Sequence, residues 1–97
     1  MVIGLLTARL FVRQARSLKD KRQVARSILD RLRGQFDVAI SEVATQDDHQ
    51  QLTLGAVAVG PEMEPVRGVL TAVQNALRAH PIAEYLGGEL TLGSEVV

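Results

Sequence analysis

The chain has 97 residues, 46% of them hydrophobic and 23% charged, and its eleven Lys and Arg balance eleven Asp and Glu. A chain this short makes one domain, taken here as 1–97, and this balance belongs to a globular rather than a disordered chain. Cysteine is absent, which excludes disulfide frameworks, thiolate metal sites and cysteine nucleophiles.

Val2 to Val12 reads as a strand. Val2, Leu6, Ala8, Leu10 and Val12 share one face, with Gly4 among them. Ile3, Leu5, Thr7, Arg9 and Phe11 share the other. Both faces are largely apolar, as in a central strand. Ser17 then opens a helix. Ser17-Leu18-Lys19-Asp20 is a capping-box variant with Asp in place of Glu or Gln. Leu18, Ala25, Ile28, Leu29 and Leu32 follow helical spacing, and Gly34 is placed to stop the helix.

Phe36 to Ala44 reads as a second strand, whose alternation slips at Glu42-Val43 in the manner of a bulge. Thr45 to Gln50 is a polar connection. Leu52 to Val59 is a third strand, apolar on both faces apart from Thr53, and pairs with the second as a hairpin. Pro61 to Pro65 opens a second helix, since proline and early Glu suit a first turn. Its apolar stripe is Met63, Val66, Leu70, Val73 and Leu77, and His80-Pro81 ends it. After a turn at Gly87-Gly88, Leu90, Leu92 and Val96 suggest a final strand.

This βαββαβ order is the split βαβ, ferredoxin-like arrangement. It is an α+β fold in which right-handed crossovers place both helices on one face of a four-stranded antiparallel sheet. The first and third strands are then central. The other sheet face carries Ile3, Leu5, Phe11, Val57 and Val59. That is more exposed apolar surface than a monomer usually shows, so a homodimer joined through this face is expected, and a protein-interaction or ligand-sensing module using the face is the alternative function.

The charges are segregated. Residues 1–35 hold nine Lys and Arg against Asp20 and Asp30; residues 36–97 hold Arg67 and Arg78 against nine acids. The densest part is the segment bearing Arg13, Arg16, Lys19, Lys21, Arg22 and Arg26. At 100° per residue Lys19, Arg22, Arg26 and Arg33 share a stripe, interrupted by Asp30. Lys19, Lys21 and Arg22 fall in the first turn, where cations oppose the helix dipole at a cost of roughly 0.3–1 kcal/mol each. A bound anion reverses that sign, so these six residues are the candidate nucleic-acid-binding set. The bland alternative is a solvated helix face paired with the acidic strands.

The segment Ala15-Arg16-Ser17-Leu18-Lys19-Asp20-Lys21-Arg22, with Glu42-Val43, Gln46-Asp47, Gln50 and Leu54-Gly55, resembles the YlxP-like family of small bacterial proteins of unknown function. The resemblance covers most of the chain and is weakest after Ala79. It implies a ferredoxin-like domain in the bacterial cytoplasm. Relatives are often encoded beside translation and ribosome-maturation genes, which points to RNA or the ribosome as a partner. It brings no catalytic residue. The chain departs from the family pattern at Asp48 and His49, where relatives tend to carry an apolar residue and an aromatic.

Other chemistry finds little footing. Asp47-Asp48-His49 with Glu42 nearby has no ligand spacing that locks a metal, and a solvated loop is the expected reading. His80 before a proline is read as structural, a cation suiting the helix end. Ser17 is better explained as a cap than as a nucleophile, and neither histidine sits in a triad pattern. Acylphosphatases share the architecture, but their glycine-rich loop followed by an arginine is absent. RNA-recognition-motif domains share it too, yet the third strand lacks the stacking aromatics of that mode. A non-enzymatic protein without a cofactor is expected. Met1 to Leu6 has no basic leader before Arg9, and no apolar run approaches the ~20 residues that cross a bilayer. The expected setting is therefore the cytoplasm, away from membranes.

Overall fold

The computed structural model describes residues 1–94. In chain order the elements are β1 (Val2–Phe11), α1 (Leu18–Gln35), β2 (Ala39–Ala44), β3 (Gln51–Gly60), α2 (Met63–Arg78) and β4 (Glu84–Ser94). They form one antiparallel sheet in the order β2-β3-β1-β4. This is the ferredoxin-like α+β arrangement, with β1 and β3 central.

The even-numbered side of β1, with Val2, Leu6, Ala8 and Leu10, is buried together with Leu52, Leu54, Ala56 and Ala58 of β3. Ala25, Ile28 and Leu32 of α1 and Val66, Leu70, Val73 and Leu77 of α2 complete this core. The helical stripes and the period-two strands thus meet in one layer between helices and sheet. Gly4 lies where side chains of α2 press on β1. A Cβ there would come within 2.5 Å of Leu70 Cδ1 and 2.8 Å of Val66 Cγ1. Between residues 1 and 94 no helix is long and apolar enough to cross a membrane.

Ser17 caps α1 by accepting a hydrogen bond from Asp20 N at 3.1 Å, and the Asp20 carboxylate accepts one from Arg16 N at 3.0 Å. The box is therefore reciprocal, but it reaches one residue further back than usual. The slip in alternation at Glu42-Val43 is an irregularity of pairing: Glu42 faces Leu54, Ala44 faces Thr53, and Val43 is the extra residue.

Three expectations are corrected. Gly34 does not stop α1; the helix continues to Gln35, and Phe36 N donates to Leu32 O at 2.8 Å. No glycine among the described residues has a positive φ, so Gly34 never takes the left-handed form that makes a glycine stop signal. The second strand pairs only from Ala39, because Phe36 closes the helix and the next two residues carry the chain across to the sheet edge. Gly87-Gly88 is not a turn. Both lie inside β4, opposite Arg9 and Ala8, with Leu86 as the extra residue of a bulge. A Cβ at Gly88 would meet Thr7 O at 2.9 Å, so the pair admits close approach of β1 rather than a reversal. Val96 lies outside the described residues.

Candidate nucleic-acid interface and the open sheet face

The six cations proposed for polyanion contact do not share one fate. Lys21 leaves the set, because its side chain is wholly buried on the inner side of α1. Its Nζ donates to Thr45 O at 2.6 Å and Gln51 O at 3.0 Å, and lies 3.0 Å from Glu42 Oε2. A buried ammonium needs such partners, since an uncompensated charge inside a protein costs several kcal/mol. The partners lie on the hairpin of β2 and β3, so Lys21 ties the first turn of α1 to that hairpin. Thr45 there has φ 60°, in the left-handed region. Asp48 Oδ1 accepts from Gln50 N and Gln51 N, both at 2.8 Å. These two bonds hold the Asp48 carboxyl below its usual pKa. Glu42 and Asp48 of the weighed metal group are thus engaged with Lys21 and with backbone amides.

Arg13 is exposed but pairs with Glu84 at 2.9 Å and lies over the Phe11 ring, 5.5 Å from its centroid. Arg33, at the far end of the stripe, meets Asp30 at 3.9 Å and donates to Ile40 O at 2.7 Å. Arg16, Lys19, Arg22 and Arg26 are exposed and have no ion-pair partner among the described residues. The helix carries Lys19, Arg22 and Arg26 on its solvent side, over about 10 Å at 1.5 Å per residue. The acidic strands do not neutralise this row.

The open face of the sheet is the second feature. Leu5, Val57 and Val59 are 48%, 40% and 63% exposed there, and Ile3 and Phe11 are half-buried. Val43 joins them at 53% exposure. Plain alternation does not place it on this face; the broken alternation in β2 is the signal that does. The β2 irregularity turns Val43 over Gly55, whose missing side chain makes room: a Cβ at Gly55 would lie 2.9 Å from Val43 Cγ1. Leu5, Val43, Gly55, Val57 and Ala39 line a shallow depression of about 400 Å³, with Thr7 and Ser41 among them. Phe11 stands at the other end of the face under Arg13, apart from this apolar patch.

His80 is structural, but not as a cation at a helix end. Its Nδ1 accepts from Ile82 N at 3.2 Å and Ala83 N at 3.1 Å, which requires the neutral imidazole on that side. Burial, and then the positive charge of Arg31, lowers its pKa. It borders a cleft of about 220 Å³ between the C-terminal ends of α1 and α2. Among the described residues no group of three or more His, Asp or Glu is placed to hold a metal ion.

Comparison with known proteins adds a family and a relative. The family described as "Protein of unknown function (DUF503)" matches residues 3–89. The chain is similar to the uncharacterized protein YlxP of Bacillus subtilis (strain 168), 40% identical over 58 residues. That match takes in 60% of this chain and 63% of the relative, so it spans less than two thirds of the relative's length.

Proposed function

The chain belongs to the DUF503 family of proteins of unknown function, and from that premise we propose that it is a non-enzymatic module that associates with RNA through the outer side of α1. One observation carries the reading. Arg16, just before α1, and Lys19, Arg22 and Arg26 in its first half stand exposed, and their side chains have no ion-pair partner among the described residues. A row of exposed cations favours the phosphate backbone and supplies affinity without sequence readout. The corrected contact set is these four residues. Arg13 is a weaker contributor, since phosphate must compete there with Glu84. The cytoplasm is the setting that goes with such a partner, and the ribosome is one place to look.

The test is binding of a single-stranded RNA across a salt series, for the wild type and for Lys19→Ala/Arg22→Ala. Each phosphate contact to a single strand adds ~0.7 to the logarithmic salt slope, so losing two lowers it by about 1.4. Equal slopes would show that these side chains do not touch phosphate. Absence of binding by the wild type at low salt removes the reading.

A second reading is favoured by a separate observation. The exposed patch of Leu5, Val43, Val57 and Val59 on the open sheet face suits self-association. The two readings use opposite sides of the molecule and do not exclude one another.

A further inference from the structure

We propose that a second copy of this chain covers the open sheet face, related to the first by a two-fold axis that runs along the seam between β1 and β3. The proposal rests on the self-association reading and adds its geometry. A two-fold interface must be self-complementary: if residue i meets residue j, then j meets i. The register of β1 and β3 supplies that relation. Leu5 lies beside Val57 and Ile3 beside Val59. A two-fold axis along the seam exchanges the two strands, setting Leu5 on the partner copy's Val57 and Ile3 on its Val59.

The same operation treats the charges well. The row through Gly55 runs Ser41, Gly55, Thr7, Glu89 across the sheet. Exchange about the seam lays Glu89 against a serine and Thr7 against the Val43 side chain that covers Gly55. The Arg9 guanidinium lies over Gly87 of β4, and the position exchanged onto Gly87 is the uncharged Ala44 of β2. No like charges are opposed. Glu89 is on the edge strand β4, and Arg9, although rooted on β1, reaches its guanidinium over β4, toward the edge where a polar rim belongs.

An axis laid across the strands through the Thr7 row does worse, because it puts Leu5 against the partner copy's Arg9. One moved to the Leu5 row matches Leu5 with itself, but leaves the Arg9 end of each sheet uncovered and reduces the contact.

Size also favours the seam. Strands of 10, 6, 10 and 11 residues, at about 3.3 Å per residue and about 4.8 Å between strands, make a face on the order of 600 Å² before side-chain relief is added. Stable interfaces bury about 800 Å² per partner, so the whole face, but not half of it, is of the right order.

A charge exchange tests the axis. Leu5→Lys and Val57→Asp are made separately, at positions already exposed in one copy. Circular dichroism checks that each still folds. Sedimentation at high micromolar concentration should show the wild type as a dimer. Each variant alone should self-associate about a hundredfold more weakly or worse, because each buries two unpaired charges. Mixed one to one, the variants should sediment as a dimer again. The introduced lysine of one copy then faces the introduced aspartate of the other, and the second contact is the native Val57 on Leu5. A dimeric wild type whose variants dissociate but are not restored by mixing places the axis elsewhere and overturns this inference, while self-association stands. Variants that remain dimeric alone overturn it too, by removing this face from the interface. A monomeric wild type overturns both.

Discussion

Lys19 and Lys21 stand two residues apart in the first turn of α1, on opposite sides of the helix. Lys19 is on the outer side, in water, with no ion-pair partner among the described residues. Lys21 is on the inner side, wholly buried, with two carbonyls and a carboxylate around its ammonium. The helical repeat turns successive side chains by 100°, so neighbours in a run of cations can serve opposite ends. The inner lysine builds the fold. The outer ones are free for a partner. A cluster of basic residues is therefore a pool to be sorted by helical phase before it is read as a binding site.

Substitution at Lys21 should break this comparison most strongly. Lys21→Met leaves the Glu42 carboxylate and two hairpin carbonyls without their cation, and should cost about 3–5 kcal/mol in denaturant unfolding. Lys19→Met, its outer counterpart, should stay within about 0.5 kcal/mol of wild type. Adding Glu42→Gln to Lys21→Met should recover part of the loss, because the stranded charge is gone. If Lys21→Met and Lys19→Met are equally mild, the buried tie does not hold the hairpin to α1.

The cap that sets the phase of both lysines comes next. Ser17→Ala removes the acceptor of Asp20 N and should cost about 1 kcal/mol, read as a lower melting temperature. Ser17→Asp should be nearly neutral, since aspartate caps as well. An unchanged melting temperature for the alanine variant would place the start of the helix elsewhere.

The smallest effect concerns the other helix and depends on pH. The His80 pKa is lowered in the folded chain, first by burial and then by Arg31. The unfolded chain therefore takes up a proton near pH 6.5 that the folded chain refuses. The contribution of His80 to stability is full above pH 6.5 and is lost as pH falls toward the folded pKa. Between pH 7.5 and 5 the wild type should lose stability relative to His80→Asn, whose side-chain oxygen can take the two amide bonds but does not titrate. Parallel curves for the two proteins would show that His80 keeps no proton out.

Much of the architecture was legible because it rests on local rules. Val2 to Phe11 alternates in period two, α1 and α2 repeat at helical spacing, and Ser17 with Asp20 marks a helix start. Even the β2 irregularity showed as a slip at Glu42-Val43. The glycines misled for a physical reason. Gly34 and Gly87-Gly88 look like stop and turn signals, but a glycine also serves where backbones approach closely or where nothing contacts it. The choice depends on what lies across from it: Thr7 and the Arg9 side chain for Gly88 and Gly87, and open space for Gly34.

Composition and spacing by themselves determined the order of elements, the face each one buries, the segregation of charge and the apolar character of the open sheet face. These follow from periodicities of 2 and 3.6 residues, which act between neighbours in the chain. Tertiary structure alone decided which cations are free. Lys21 meets Glu42, Thr45 and Gln51, all far from it in the chain, and Arg13 meets Glu84. It likewise decided that Val43 covers Gly55 and that Leu5 stands beside Val57. Burial and pairing of charge are properties of what the fold brings alongside a residue, and no local pattern encodes a neighbour that arrives from another strand.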